Sequence, residues 1–218
     1  MGIKAVVIGG SGATGKELVQ QLLDRPDVEQ VKVLLRRPYF KPHTKLDEVI
    51  VDFNMLAQYS EHIEGDIAFS TLGTTIKDAG SQEAQWKVDH DYPLAFAEIA
   101  KQNGIQTFVL LSSMQADPKA RLFYPRMKGT LEHAIQKLNF PSYIILRPGI
   151  IDRPNTDRTG EKLAVRIIKL LNKMGLLHKF RAITTVDLAN ALIAAGIDFQ
   201  KAGEQLYESP EILAGIKR

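Results

Sequence analysis

Tyr124 and Lys128 stand four residues apart, the spacing that brings two side chains to one helical face, a turn from each other. A phenol with a pKa of ~10 is a poor acid or base at neutral pH, but an ammonium beside it stabilises the phenolate and draws the value towards the working range. Tyr124 can then give a proton to a carbonyl oxygen as hydride reaches the carbon. Ser113, or its neighbour Ser112, follows the apolar run Phe108-Val109-Leu110-Leu111 and can hydrogen-bond the same oxygen, holding it beside the phenol. A Tyr and a Lys at this spacing are also common on solvated helix faces, so the surrounding chain decides what they mean.

The first element that must position them is a turn. Ile3-Lys4-Ala5-Val6-Val7-Ile8 is nearly all apolar and β-branched, as a parallel strand covered on both faces requires, and Leu18, Val19, Leu22 and Leu23 recur at helical spacing. Between them lies Gly9-Gly10-Ser11-Gly12-Ala13-Thr14-Gly15. Glycine there lets the chain turn tightly, lets backbone N–H groups approach a pyrophosphate, and lets the helix pack close on the strand. The run parses as Gly10-x-Gly12-x-x-Gly15 or as Gly9-x-x-Gly12-x-x-Gly15, and both share Gly12 and Gly15. Gly9, Ser11, Gly12, Ala13, Thr14 and Gly15 are therefore the expected cradle of a dinucleotide, with the helix N-terminus facing its phosphates.

Val31-Lys32-Val33-Leu34-Leu35 is the second strand and ends in Arg36-Arg37. An acidic residue about twenty positions past the glycines would bind the ribose 2′-hydroxyl of NAD. Two guanidiniums favour a 2′-phosphate instead, so NADPH is the expected cofactor. A third strand, Val49-Ile50-Val51, leads to Asp52-Phe53, a carboxylate and a ring that can frame an adenine. The fourth, Ile67-Ala68-Phe69-Ser70, delivers Leu72-Gly73-Thr74-Thr75 to the carboxyl end of the sheet, where open α/β sheets bind ligands. Asp91 is the expected N-cap of the next helix, with Pro93 in its first turn and Asn103-Gly104 as its stop. The fifth strand carries Ser112-Ser113, and a helix from about Leu122 to Leu138 carries Tyr124 and Lys128, with Pro125 in its first turn. Tyr143-Ile144-Ile145-Leu146 is the sixth strand, closed by Arg147-Pro148-Gly149. Strand and crossover alternate throughout, which predicts an α/β fold: a doubly wound, Rossmann-type parallel sheet with helices on both faces. Residues 1–218 are read as one domain whose last part, 147–218, covers the cofactor and substrate side with a helix over Leu163 to Leu171, a helix capped by Thr184 or Thr185, and a short strand at Gln205-Leu206-Tyr207-Glu208.

Composition narrows the partners. The 218 residues are 44% hydrophobic, enough for one substantial core, and the formal charge of +3 is spread along the chain, which gives no support to nucleic-acid binding. There is no cysteine, which excludes disulfides and a thiolate nucleophile, and the 5 histidines are scattered without ligand spacing, so no metal is expected. No apolar run reaches ~18 residues and no signal-peptide pattern is present, which points to a cytoplasmic protein acting on a small molecule, away from membranes.

In these features the chain resembles the atypical short-chain dehydrogenases/reductases, and within them the Tat-interacting oxidoreductase family. The residues that carry the resemblance are Gly9 to Gly15, Arg36-Arg37, Val51-Asp52-Phe53, Leu72-Gly73-Thr74-Thr75, Val88-Asp89-x-Asp91-Tyr92, Leu111-Ser112-Ser113, Tyr124-x-x-x-Lys128-Gly129 and Arg147-Pro148-Gly149. The resemblance implies bound NADPH, a Ser113, Tyr124, Lys128 triad with Lys128 on the ribose hydroxyls, cofactor contacts from Leu72 and Gly73, and Ile151 and Arg158 closing over the site. Many members carry a catalytic asparagine where this chain has Asp89. Two functions fit the pattern: an NADP-dependent oxidoreductase of a small carbonyl or alcohol, and an NADPH-binding sensor with little turnover. An isomerase or epimerase with tightly held dinucleotide is a third.

Overall fold

The apolar runs form strands buried on both faces. The computed structural model describes residues 2–152 and 182–216. Its strands are β1 (Ile3–Ile8), β2 (Val28–Leu35), β3 (Leu46–Ile50), β4 (Ile67–Ser70), β5 (Thr107–Leu111), β6 (Ser142–Arg147), β7 (Ile151–Asp152), β8 (Ile183–Thr184) and β9 (Gly203–Glu208). Seven of them make one sheet in the order β3-β2-β1-β4-β5-β6-β9, with every pairing parallel, while β7 and β8 pair with each other. The strand order reverses between β1 and β4, and the crevice at their carboxyl ends is where such sheets take a ligand.

Alternation along the strands divides the core in two. Val7, Val33, Phe69, Val109 and Ile144 face α1 (Ala13–Asp24) and a later helix that caps the same side, whereas Ile8, Leu34, Ala68, Phe108 and Ile145 face the helices of the opposite layer. That opposite layer holds a 3-10 helix over Phe53–His62, then α2 (Ile76–Ala79), α3 (Gln82–Trp86), α4 (Tyr92–Gln102) and α5 (Phe123–Gln136). The first layer is completed by α6 (Thr185–Ile193), whose Leu188 and Leu192 pack with Leu18 and Leu22 of α1; α7 (Ser209–Ala214) follows β9.

Several expectations hold and some need correcting. Thr184 caps α6, accepting from the Asp187 amide at 3.0 Å, and Gly104, with φ +81°, ends α4. Asp91 is not an N-cap: its backbone is helical (φ −68°, ψ −43°), and α3, a π-helical turn over Lys87–Asp91 and α4 run on as one helix. The cap is Ser81, which accepts from the Ala84 amide at 3.1 Å. Pro93 explains the wide turn, since its ring would press on the carbonyl of Asp89 four residues back and it has no N–H to offer; Tyr92 bonds instead to the Lys87 carbonyl. The helix expected over Leu163 to Leu171 lies outside the described residues.

Candidate functional site

The turn between β1 and α1 needs the absence of side chains. Gly9 has φ +78°, and a Cβ on it would stand 2.4 Å from the Leu72 amide nitrogen, because the turn rests against the chain leaving β4. The Gly12 amide donates to the Gly9 carbonyl at 2.9 Å. A Cβ on Gly15 would lie 2.1 Å from that same carbonyl oxygen and 2.8 Å from Thr71 Oγ1, so α1 can start here only if Gly15 stays bare. Gly12 caps α1 without a side-chain bond, and the first turn holds no acidic residue. Its open N–H groups, together with exposed Ser11 and Gly12 and half-buried Ala13, suit a bound anion; Thr14 and Gly15 are buried behind them. The residues present thus fit the phosphates of a dinucleotide.

On the adenosine side, Arg36 and Arg37 are exposed just past the end of β2, with no hydrogen bond or ion pair among the described residues. Asp52 lies at the end of the chain leaving β3 and caps the 3-10 helix, accepting from the Asn54 amide at 2.9 Å. The expectation that the Phe53 ring frames the base is corrected: the ring is 8% exposed and packs in the core, 5.4 Å from the Tyr92 ring. Leu72 is half-buried and Gly73 exposed, on the strand exit that touches Gly9.

The edge made by β5, α5 and β6 separates the two serines. Ser112 Oγ donates to Glu132, whose carboxylate is held by Arg147 at 3.0 Å through Nε and 2.5 Å through Nη2; Arg147 also reaches Glu208 at 3.1 Å. Ser112 is therefore a structural hydroxyl. Ser113 Oγ is buried and has no partner among the described residues, which leaves it available to a bound oxygen. Tyr124, Lys128 and Glu132 form one stripe along α5 that descends from solvent into the core, with Tyr124 40% exposed at the helix start and Lys128 3% exposed a turn below. The helix does begin beside the tyrosine, at Phe123, and Pro125 sits in its first turn with its carbonyl accepting the Asp117 amide at 3.1 Å. Glu132 was legible as the next residue of the Tyr124, Lys128 spacing, but nothing in the sequence joins it to Ser112 and Arg147.

Beneath the β4 exit lies Asp89. Its Oδ1 accepts the Thr74 amide at 2.6 Å, and Gln85 Nε2 donates to the Thr74 carbonyl at 3.1 Å. Desolvation raises the Asp89 carboxyl above the usual range, while the Lys128 ammonium, the Thr74 amide and the Gln85 amide draw it back. Ile151, half-buried on β7, pairs with Ile183 of β8, and Arg158 lies outside the described residues. A separate cleft of about 360 Å³ lies between α6 and α7, lined by Asp187, Asn190, Ile212 and Ile216 among others, and shares no lining residue with the cradle or with Ser113, Tyr124 and Lys128.

Comparison with known proteins agrees with this geometry. Residues 9–195 match the family described as NAD(P)H-binding. The mitochondrial protein FMP52 of Coccidioides immitis is 34% identical over 229 residues, covering 96% of this chain and 92% of that protein. Rat protein HTATIP2 is 35% identical over 164 residues, covering 72% of this chain and 67% of its own length. Among solved structures, a short chain dehydrogenase family protein from Francisella tularensis superposes with a TM-score of 0.69 at 16% identity, covering 98% of this chain and 100% of that one. The cytoplasmic expectation is overturned by the fungal relatives, which are named mitochondrial proteins. No helix among the described residues is long and apolar enough to cross a membrane, and that property does not distinguish one aqueous compartment from another. The chain belongs to the NAD(P)H-binding family and has the Rossmann-type fold of the short-chain dehydrogenases/reductases.

Proposed function

We propose that the protein is an NADPH-dependent oxidoreductase that reduces a small carbonyl compound, or oxidises the corresponding alcohol. The observation that carries this reading is the contrast at the end of β5. Ser112 is committed to Glu132, while the buried hydroxyl of Ser113 has no partner and lies on the strand exit before the helix that bears Tyr124 and Lys128. A bound NAD(P)H supplies a hydride there. Gly9, Ser11, Gly12, Ala13, Thr14 and Gly15 hold the pyrophosphate, Leu72 and Gly73 lie against the dinucleotide, and Arg36 and Arg37 take the 2′-phosphate. Asp52 and the Phe53 backbone meet the adenine. Lys128 holds the nicotinamide ribose. Ser113 donates a hydrogen bond to the substrate oxygen, fixing it beside Tyr124, and Tyr124 gives up its phenolic proton as negative charge develops on that oxygen. The mitochondrial naming of the fungal relatives makes that compartment the expectation for this chain, to be checked by fractionation.

The deciding experiment follows cofactor absorbance over a panel of small carbonyl compounds, with NADPH and NADH in parallel. Tyr124→Phe should lose about 10² to 10⁴ in turnover while NADPH affinity is kept. The Arg36→Ala, Arg37→Ala double variant should lose at least about tenfold of the preference for NADPH, because two charge-assisted contacts vanish. Undiminished turnover in Tyr124→Phe would refute the mechanism. The exposure of Tyr124, 40%, favours one rival, an NADPH sensor. Absence of turnover across the panel, with occupancy still sensitive to Lys128→Ala, would select it.

A further inference from the structure

Past the end of β2 the chain turns back along the sheet. Glu48 lies on β3 opposite Val33, before β2 ends at Leu35, and its Oε1 accepts the backbone amides of Tyr39 at 3.1 Å and Phe40 at 2.6 Å. Arg36-Arg37-Pro38 is therefore a short bridge fastened at both ends. On one side Leu35 is held in the sheet, its carbonyl accepting the Val51 amide at 2.8 Å; on the other, Tyr39 is held by Glu48. Phe40 adds a second anchor. Its half-buried ring packs on the α1 side of the core, with Cε2 3.8 Å from where a Cβ on Gly10 would stand, so the loop rests against the cradle as well as on β3. Within the bridge, the Pro38 ring fixes its own φ and keeps Arg37 from helical backbone.

These bonds do more than satisfy donors. Tyr39 is 50% exposed, so water would serve its amide, and the bond to Glu48 acts mainly as a restraint on the loop. The residues restrained are the two guanidiniums, which are exposed and have no hydrogen bond or ion pair among the described residues. On a free loop they would lose backbone as well as side-chain freedom when they grip an anion. On a fastened loop they lose side-chain freedom alone.

We propose that Glu48 is a positioning residue that sets the choice of cofactor: by holding the Tyr39 and Phe40 amides it fixes the backbone of Arg36 and Arg37, so that both guanidiniums are presented to the 2′-phosphate of NADPH. The proposal rests on the reading of Arg36 and Arg37 as 2′-phosphate contacts. NADH lacks that phosphate and is otherwise the same molecule, so its affinity reports on the rest of the site. A merely structural Glu48 would affect both cofactors alike, whereas a positioning one shifts their ratio. Glutamine at position 48 keeps an oxygen for the two amides, and alanine does not. Glu48 is half-buried on an edge strand, so neither change disturbs the core.

The test is calorimetric titration of NADPH and of NADH into the intact protein at one fixed ionic strength, because salt screens the attraction between guanidinium and phosphate. Glu48→Ala should weaken NADPH by about fivefold or more, the cost of ordering a loop residue on binding, and leave NADH within about twofold of wild type. Glu48→Gln should keep the wild-type ratio of the two affinities to within about twofold, because the acceptor remains. Equal weakening of both cofactors in Glu48→Ala, an unchanged NADPH affinity, or a Glu48→Gln protein as impaired as Glu48→Ala would overturn the proposal. The Arg36→Ala, Arg37→Ala double variant tests the premise separately. If its ratio equals that of wild type, the 2′-phosphate reading fails and the proposal with it; if its ratio falls while that of Glu48→Ala does not, the proposal alone fails.

Discussion

The cradle between β1 and α1 and the edge formed by β5, α5 and β6 lie at the same carboxyl edge of the parallel sheet but are made of different materials. The cradle is backbone: a left-handed Gly9, an uncapped helix start, and a Gly15 with no room for a Cβ. The edge is side chains that hold one another, from Ser112 through Glu132 and Arg147 to Glu208, with Ser113 next to Ser112 and Lys128 one turn from Glu132 on α5. The first depends on steric exclusion, so a single added group either fits or does not. The second depends on charge balance across α5, β5, β6 and β9, so each group removed weakens it by a graded amount. A ligand phosphate needs only many N–H groups close by, whereas a reacting oxygen needs a few polar atoms held in fixed positions.

The largest effect should come from Gly15→Val. Its Cβ would meet the Gly9 carbonyl oxygen at 2.1 Å, and the turn cannot move away because Gly9 already rests on Leu72. NADPH binding should be lost outright and thermal unfolding should shift several degrees lower, by about 4–8 °C for each kcal/mol in a small domain and somewhat less at this length. A Gly15→Val protein that bound NADPH with unchanged affinity would show that the nucleotide lies elsewhere and that the cradle is only a turn.

Next in size is Glu132→Ala, which leaves Arg147 partly buried with Glu208 alone and deprives Ser112 of its acceptor. Breaking a buried pair from one side costs about 3 kcal/mol or more. Urea unfolding should show that loss in the midpoint, with turnover reduced as α5 loosens against β5 and β6. A change below about 1 kcal/mol would mean that apolar packing of Met127, Leu131 and Ile135 fixes α5 by itself, as a surface pair would allow.

The difference in materials also explains what the sequence reveals. The cradle is local: an apolar run, a glycine spacing and a helical period adjoin one another within residues 3–23, and the structure follows them closely. Strand order and parallel pairing follow from the alternation of strands and crossovers. The edge is not local. Whether Phe53 turns its ring to a ligand or into the core depends on Tyr92, far along the chain, and the start of the helix before Tyr92 depends on a π-helical turn that Pro93 induces. The Asp89 carboxylate finds a donor only when the chain leaving β4 brings the Thr74 amide over it. Two adjacent serines are equivalent in sequence until Glu132, twenty residues on, selects one of them.

That selection yields the finest test. Ser112→Ala removes a hydrogen bond to a buried carboxylate and should cost about 1.5 to 3 kcal/mol in urea unfolding. Ser113→Ala removes a buried hydroxyl that has no partner among the described residues, so it should leave stability unchanged or raise it by up to about 1 kcal/mol. Turnover should sort them the other way at matched folded concentration: Ser113→Ala loses the hydrogen bond to the substrate oxygen, while Ser112→Ala keeps it. Unfolding curves and a carbonyl assay on the same two proteins therefore distinguish a structural serine from a reacting one. If Ser113→Ala is the less stable and Ser112→Ala the less active, the roles are exchanged. The stripe of Tyr124, Lys128 and Glu132 would then run from substrate to substrate-binding serine, and the charge network would belong to the chemistry instead of holding it in place.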